Sequence, residues 1–209
     1  MKILFENKNL IFAIKPRGVA SQSSNGENMI SMLSEHTGGE IYPVHRLDTA
    51  TGGVMVYAKS KKHAASLSEA FAKNEIDKKY LAIVRGQIEP EGVMEDFLWH
   101  DRTKNKSFVV KSERKGAKKA KLEYKVIAEN EINSEIYTLV EIKLHTGRTH
   151  QIRVQFASRG HSLAGDGKYG GKSGYPLALW CHSLTLPNGM SYSCLPPENE
   201  DLWKIFNSK

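Results

Sequence analysis

Apolar and polar residues alternate most clearly between Tyr137 and Leu144. Leu139 and Glu141 fall on one face there, and Val140, Ile142 and Leu144 on the other. A period of two predicts a strand with one covered face. Tyr80–Val84 follows the same rule, with Leu81 and Ile83 opposite Tyr80, Ala82 and Val84. Ile3–Phe5 and Leu10–Ile14 read as short strands, the second closed by Lys15-Pro16-Arg17-Gly18, and the continuous apolar run Gly53–Ala58 reads as a buried one. Ser107–Val110 and Leu122–Ala128 read as the two arms of one hairpin. Helical spacing appears in Asn28–Glu35 and in Lys62–Lys73, where Ala65, Leu67, Ala70 and Phe71 form an apolar face and Asn74 a stop. A further helix is expected from His150 to about Ser158, with Thr149 at its N-cap and Gly160 ending it. Strands outnumber helices without regular βαβ alternation. The pattern predicts an α+β fold, a mixed and largely antiparallel sheet flanked by a few helices.

No repeat and no Pro- or Ser-rich linker divides the 209 residues; the most loop-like stretch, Ser21–Gly26, is too short to separate domains. A single domain over 1–209 is expected. The longest apolar stretches, such as Val54-Met55-Val56, fall far short of the ~20 residues of a membrane-spanning helix. Charge near the N-terminus argues against a secretory leader, so a cytoplasmic protein without membrane association is expected. Cys181 and Cys194 lie outside any CxxC or Cys/His ligand spacing and read as reduced. The eight histidines include no HExxH pair, so no metal is expected; His145 and His150 read as hydrogen-bonding residues around a Gly-containing turn.

Charge changes the picture more. The net charge is +7, and Arg102–Lys121 holds nine basic residues against one acid, Glu113, which leaves the rest of the chain near neutral. Such concentration suits a surface that tracks phosphates, with Arg114, Lys115, Lys118 and Lys119 as its centre. A solvated hairpin tip is the alternative.

The candidate chemistry starts at His45-Arg46-Leu47-Asp48, followed by Thr49-Ala50-Thr51-Gly52-Gly53 and the buried strand. One carboxylate beside an arginine in a turn is usually a cap or a solvated residue. Downstream lie Lys79-Tyr80-Leu81-Ala82-Ile83-Val84-Arg85-Gly86 and Leu144-His145-Thr146-Gly147-Arg148-Thr149-His150-Gln151-Ile152-Arg153. In this order the three segments resemble the signature of the RluA-type pseudouridine synthases, and the likeness runs from about Leu10 to Pro197.

The resemblance implies a curved mixed sheet with an RNA cleft, and isomerisation of specific uridines in structured RNA (ribosomal or transfer RNA) by a monomer. Many relatives carry an N-terminal S4 domain; here the first catalytic-domain strand begins near Ile3, so a catalytic domain without it is expected. Substrate and product are isomers, so no cofactor, metal or ATP is required. The resemblance gives Asp48 the catalytic role at the sugar and Arg153 the role of its ion-pair partner. Tyr80 gains a stacking face for uracil and a phenol able to move a proton. Arg46 is assigned to RNA binding and base flipping, Arg148 and Thr149 to a phosphate-binding turn, and Gly52 and Gly53 to a tight turn and close RNA approach. The Gly160–Gly170 stretch, with Asp166 bracing a turn, reads as a loop bordering the cleft.

Four positions depart from the family pattern. Gly52 stands where Ser is frequent, Gln155 where His is, Ser162-Leu163 where Pro-Ile is usual, and Leu179-Trp180-Cys181 where Leu-His-Ala is usual. None removes a proposed catalytic group. Two other readings stay open: a non-catalytic RNA-binding module, and a metal-independent ribonuclease or hydrolase built on His45, Asp48 and His150. The first predicts loss of Asp48, Tyr80 or Arg153, all of which are present; the second predicts shortened RNA.

Overall fold

The computed structural model describes residues 1–22, 26–171, 174–197 and 201–207. The middle of the Ser21–Gly26 loop lies outside them. In chain order the elements are β1 (Lys2–Glu6), β2 (Leu10–Lys15), α1 (Met29–Thr37), β3 (Tyr42–Pro43), β4 (Gly52–Ala58), α2 (Lys61–Ala72), β5 (Asp77–Arg85) and β6 (Glu91–Asp101). There follow β7 (Lys106–Val110), β8 (Ala117–Ile132), β9 (Glu135–Leu144), α3 (Gln151–Ala157), β10 (Leu179–Thr185), β11 (Ser191–Ser193) and α4 (Asp201–Asn207). The expected α+β class is what these elements form.

The chain divides into two compact units, one built from Met1–Lys78 and Trp180–Pro196, the other from Lys79–Leu179 and Pro197–Lys209. In the first, β4 is buried along its whole length between antiparallel β2 and parallel β10. That explains its unbroken apolar run: a strand covered on both faces has no polar side. Asn28 caps α1 by accepting from Ile30 N and Ser31 N, while the Ser31 hydroxyl accepts from the Asn28 N–H.

Gly52 and Gly53 have a different reason from the expected one. Both are buried, and a Cβ at either would come 2.3 Å from β10: at Gly52 from the Trp180 ring, at Gly53 from the Cys181 backbone. They admit a neighbouring strand.

In the second unit the antiparallel order is β5-β9-β8-β6-β7. The expected hairpin is therefore corrected. Ser107–Val110 pairs with β6, and β6 lies between it and β8. Registers place Leu98, Lys118, Ala120, Leu122, Tyr124, Ile142 and Tyr80 on one face. Helix α3 covers that face: Phe156 meets the Tyr124 ring edge-on at 5.4 Å, and Val154 packs against Leu98 and Ala120.

Candidate functional site

Asp48 lies in a loop whose backbone is pinned from several directions. Its own carbonyl accepts from Thr51 N–H at 2.9 Å, which closes the turn. Leu47, just before it, is held by the buried Ser21 hydroxyl, which donates to the Leu47 carbonyl (2.8 Å) and accepts from its N–H (3.0 Å). The carbonyl of Thr49, just after it, accepts from Gly18 N–H at 2.8 Å and from Lys15 Nζ at 3.2 Å.

Lys15 is the surprise of this loop. It is fully buried, and its ammonium also donates to the carbonyls of Pro16 (2.9 Å) and Val19 (2.6 Å). Burial pushes its pKa down to about 8, and the Asp48 charge opposes that shift. A positive charge is thus held beside the carboxylate from below the loop. Read from the pattern alone, Lys15-Pro16-Arg17-Gly18 only closes a strand, since nothing in that tetrapeptide signals a buried ammonium.

His45 orders the loop. Its ring stacks on Phe71 (4.5 Å, 15° between planes), and its Nε2 accepts from Val56 N–H of β4 at 3.1 Å. Burial and, less, the Lys78 charge push its pKa down to about 3, so it stays neutral and accepting. Its ring face and its Nε2 are both engaged in holding the loop, which speaks against the ribonuclease reading. Arg46 is exposed in the same loop.

In the second unit, Tyr80 is 7% exposed on β5, opposite Ile142 of β9. Arg153 projects from α3, which covers the same sheet face, and is buried. Its Nε donates to Asp166 Oδ2 at 2.7 Å and its Nη2 to Asp166 Oδ1 at 2.8 Å, a two-pronged pair with Asp166 1% exposed. Asp166 also accepts from Lys168 N–H and Tyr169 N–H. It braces its turn as expected, and in addition it fixes the plane of the Arg153 guanidinium. Tyr169 supports the pair from the side: the guanidinium lies 5.2 Å from its ring centre. The Tyr169 hydroxyl accepts from Ser107 N–H (2.7 Å) and is 2.9 Å from His150 Nδ1. Sequence reasoning missed both Asp166 as the arginine's anchor and Tyr169.

The expected N-cap is corrected. Helix α3 begins at Gln151; its N-cap is His150, in the left-handed conformation (φ 55°) with no side-chain cap, and not Thr149. The Arg148 N–H donates to Gln151 Oε1 at 3.1 Å, so a side chain already occupies the donor a phosphate would use. Thr149 gives its carbonyl to the Ser107 hydroxyl at 2.6 Å.

The basic residues do not share one surface. Strand alternation sets Lys118 on the α3 face, beside Leu98, and Lys119 and Lys121 on the opposite face. Lys121 pairs with Glu95 at 2.7 Å, Lys119 lies over the Phe97 ring and Arg114 over Trp99. Lys115 is exposed in the loop before β8. Among the described residues no helix is long and apolar enough to cross a membrane, and no cluster of His, Cys, Asp or Glu could hold a metal ion.

Comparison with known proteins agrees with the residue pattern. The family model described as RNA pseudouridylate synthase matches residues 9–158, a span that includes Asp48, Tyr80 and Arg153. An uncharacterized RNA pseudouridine synthase of Bacillus subtilis is 35% identical over 182 residues, 83% of this chain and 59% of that protein. The tRNA pseudouridine synthase C of Vibrio parahaemolyticus is 32% identical over 182 residues, 81% of this chain and 74% of that one. The solved structure of human RNA pseudouridylate synthase domain containing 4 superposes with a TM-score of 0.77 at 26% identity, over 94% of this chain and 88% of that one. The chain thus spans under two thirds of the Bacillus relative's length.

Proposed function

The chain belongs to the RNA pseudouridylate synthase family, and from that membership we propose that it isomerises specific uridines to pseudouridine in structured RNA, ribosomal or transfer, as a cytoplasmic monomer. The observation that carries this reading is the Asp48 loop. A half-buried carboxylate, backed by a buried ammonium and pinned by Ser21, Lys15 and Thr51, lies inside the segment that matches the family. Relatives named for transfer RNA and for the ribosomal large subunit support an RNA substrate of either class.

The reaction breaks the bond from C1′ to N1 and makes one from C1′ to C5. One proton leaves C5 and one arrives at N1, so nothing is oxidised and no group is lost. Asp48 is the group proposed to act at the sugar, as a nucleophile, a base or a charge stabiliser. A preset loop suits this role, because a carboxylate that need not reorganise stabilises developing charge more strongly than one in water. Tyr80 offers a ring for the uracil and a phenol for the proton. Arg153, its plane set by Asp166, is the proposed counter-charge. Arg46, exposed beside Asp48, is proposed to occupy the gap left by a flipped base.

The test uses purified protein, without added cofactor, and transcripts of its own organism's ribosomal and transfer RNAs. Pseudouridine is then mapped at single positions. Conversion by the parent and none by Asp48→Asn is the expected result. Equal conversion by both would remove Asp48 from the mechanism, and shortened RNA would replace isomerisation with cleavage.

A further inference from the structure

On the α3 face of the second unit, a groove of about 580 Å3 runs between β6, the start of β8 and the turn before α3. Its lining includes His100, Arg102, Lys118, Arg148 and Thr149. Three cations face one carboxylate, Asp101, whose Oδ1 already accepts from Thr103 N–H and Lys104 N–H. The side chains of Lys118 and Arg102 make no ion pair or hydrogen bond among the described residues, in contrast to Lys121 on the other face. Arg148 is held in place by donation from its Nε to the Lys119 carbonyl at 2.9 Å, a bond that uses only one of its five N–H donors. The groove floor is cross-linked by hydrogen bonds. Ser107, buried at its base, is bonded to His100, to the Thr149 carbonyl and, through its N–H, to Tyr169.

Three cations gathered in a concave groove with a single carboxylate between them are arranged for a polyanion's backbone. The volume fits a single small ligand, and a double helix is a wide convex body. We propose that this groove binds the phosphates of an unpaired RNA segment flanking the modified uridine, through Lys118, Arg148 and Arg102, while Lys119 and Lys121 on the opposite face take no part. The proposal rests on the RNA-modifying reading above for the identity of the polyanion. It replaces a uniformly basic segment with a one-sided one.

The experiment measures fluorescence anisotropy of a labelled 12-nucleotide oligouridylate with the full chain, over a range of salt concentrations. Single-stranded contacts contribute about 0.7 each to the log–log salt slope, so Lys118→Ala with Arg148→Ala should flatten it by about 1.4 and weaken binding about 25-fold at 0.1 M salt. Lys119→Ala with Lys121→Ala, removing the same charge from the other face, should change affinity less than threefold. Lys118 is exposed, so Lys118→Glu retains the fold and should weaken binding further than Lys118→Ala even if removal of Arg148 disturbs the turn. Equal losses for the two pairs, no loss for the groove pair, or no binding of the probe by the parent would each overturn the proposal. Binding is read without turnover. A protein that binds through the groove yet forms no pseudouridine would refute the functional reading alone, and the reverse result would refute the groove alone.

Discussion

Gly52 and Trp180 are fitted to each other: they are register partners in the β4–β10 pair, and the Trp180 ring occupies the space a Cβ on residue 52 would need. The family pattern has Ser and His where these two stand. The two departures thus meet at one contact, with the bulk on β10 and none on β4. Gly52→Ser should therefore destabilise by about 2–3 kcal/mol, because a buried ring must shift. Trp180→His should also destabilise, through the cavity it leaves and the lost bond from Nε1 to the Cys194 carbonyl. The double variant should be at least about 1 kcal/mol more stable than the sum of the two. Urea melts of the four proteins decide this, and strict additivity would mean the two positions do not share space.

The Arg153–Asp166 pair has a separable consequence. Asp166→Asn leaves a buried guanidinium facing an amide and should cost about 3 kcal/mol of stability. Arg153→Lys keeps the charge but cannot grip both Asp166 oxygens, so turnover should fall about 100-fold or more with RNA affinity little changed. Near-normal turnover in Arg153→Lys would show that a fixed guanidinium plane is not required.

Lys15 makes stability depend on pH in a particular direction. Its folded pKa of about 8 lies below the ordinary 10.5, so between those values the unfolded chain holds more protons. The cost of burying the ammonium is fully present below pH 8 and is relieved as pH rises towards 10.5. Stability of the parent minus that of Lys15→Met should thus increase across this window, by at most about 3 kcal/mol. A flat difference would mean that Lys15 titrates like a solvated lysine.

Tyr80→Phe separates the ring from the hydroxyl. The ring's place opposite Ile142 is kept, so oligouridylate affinity should stay within about twofold. Turnover should fall by about 100-fold or more if the phenol moves the proton, the usual span for general acid–base catalysis. Single-turnover conversion measured at saturating RNA makes the comparison, and unchanged conversion would leave the ring only a stacking role.

Sequence periodicity located β9, β5, β4 and the two longer helices because their polar and apolar positions follow a single environment. It missed β6, where the environments are inverted. Val93 is 59% exposed on one face, while Asp96, on the covered face, accepts from Gln155 and Arg159. A strand with an acid inside and valine outside has no period a hydrophobicity pattern can detect. Missing it turned β7 and β8 into neighbours, and so made one basic surface out of two. The Asp48 loop was legible from its motif, and Arg153 with it. Lys15, Asp166 and Tyr169 were not, because each acts through a partner that only the folded chain brings near.

The first unit is assembled from chain segments that are not contiguous: β4 takes β2 on one side from the start of the chain, and β10 on the other from beyond residue 179. Time enters here. During synthesis β2, β4 and the Asp48 loop emerge well before β10, so Gly52 and Gly53 wait for the strand they admit. The second unit, by contrast, has its strands β5 to β9 in one continuous stretch and can close earlier. A nascent chain halted before β10 therefore carries Asp48 but not the strand that Gly52 and Gly53 admit beside it.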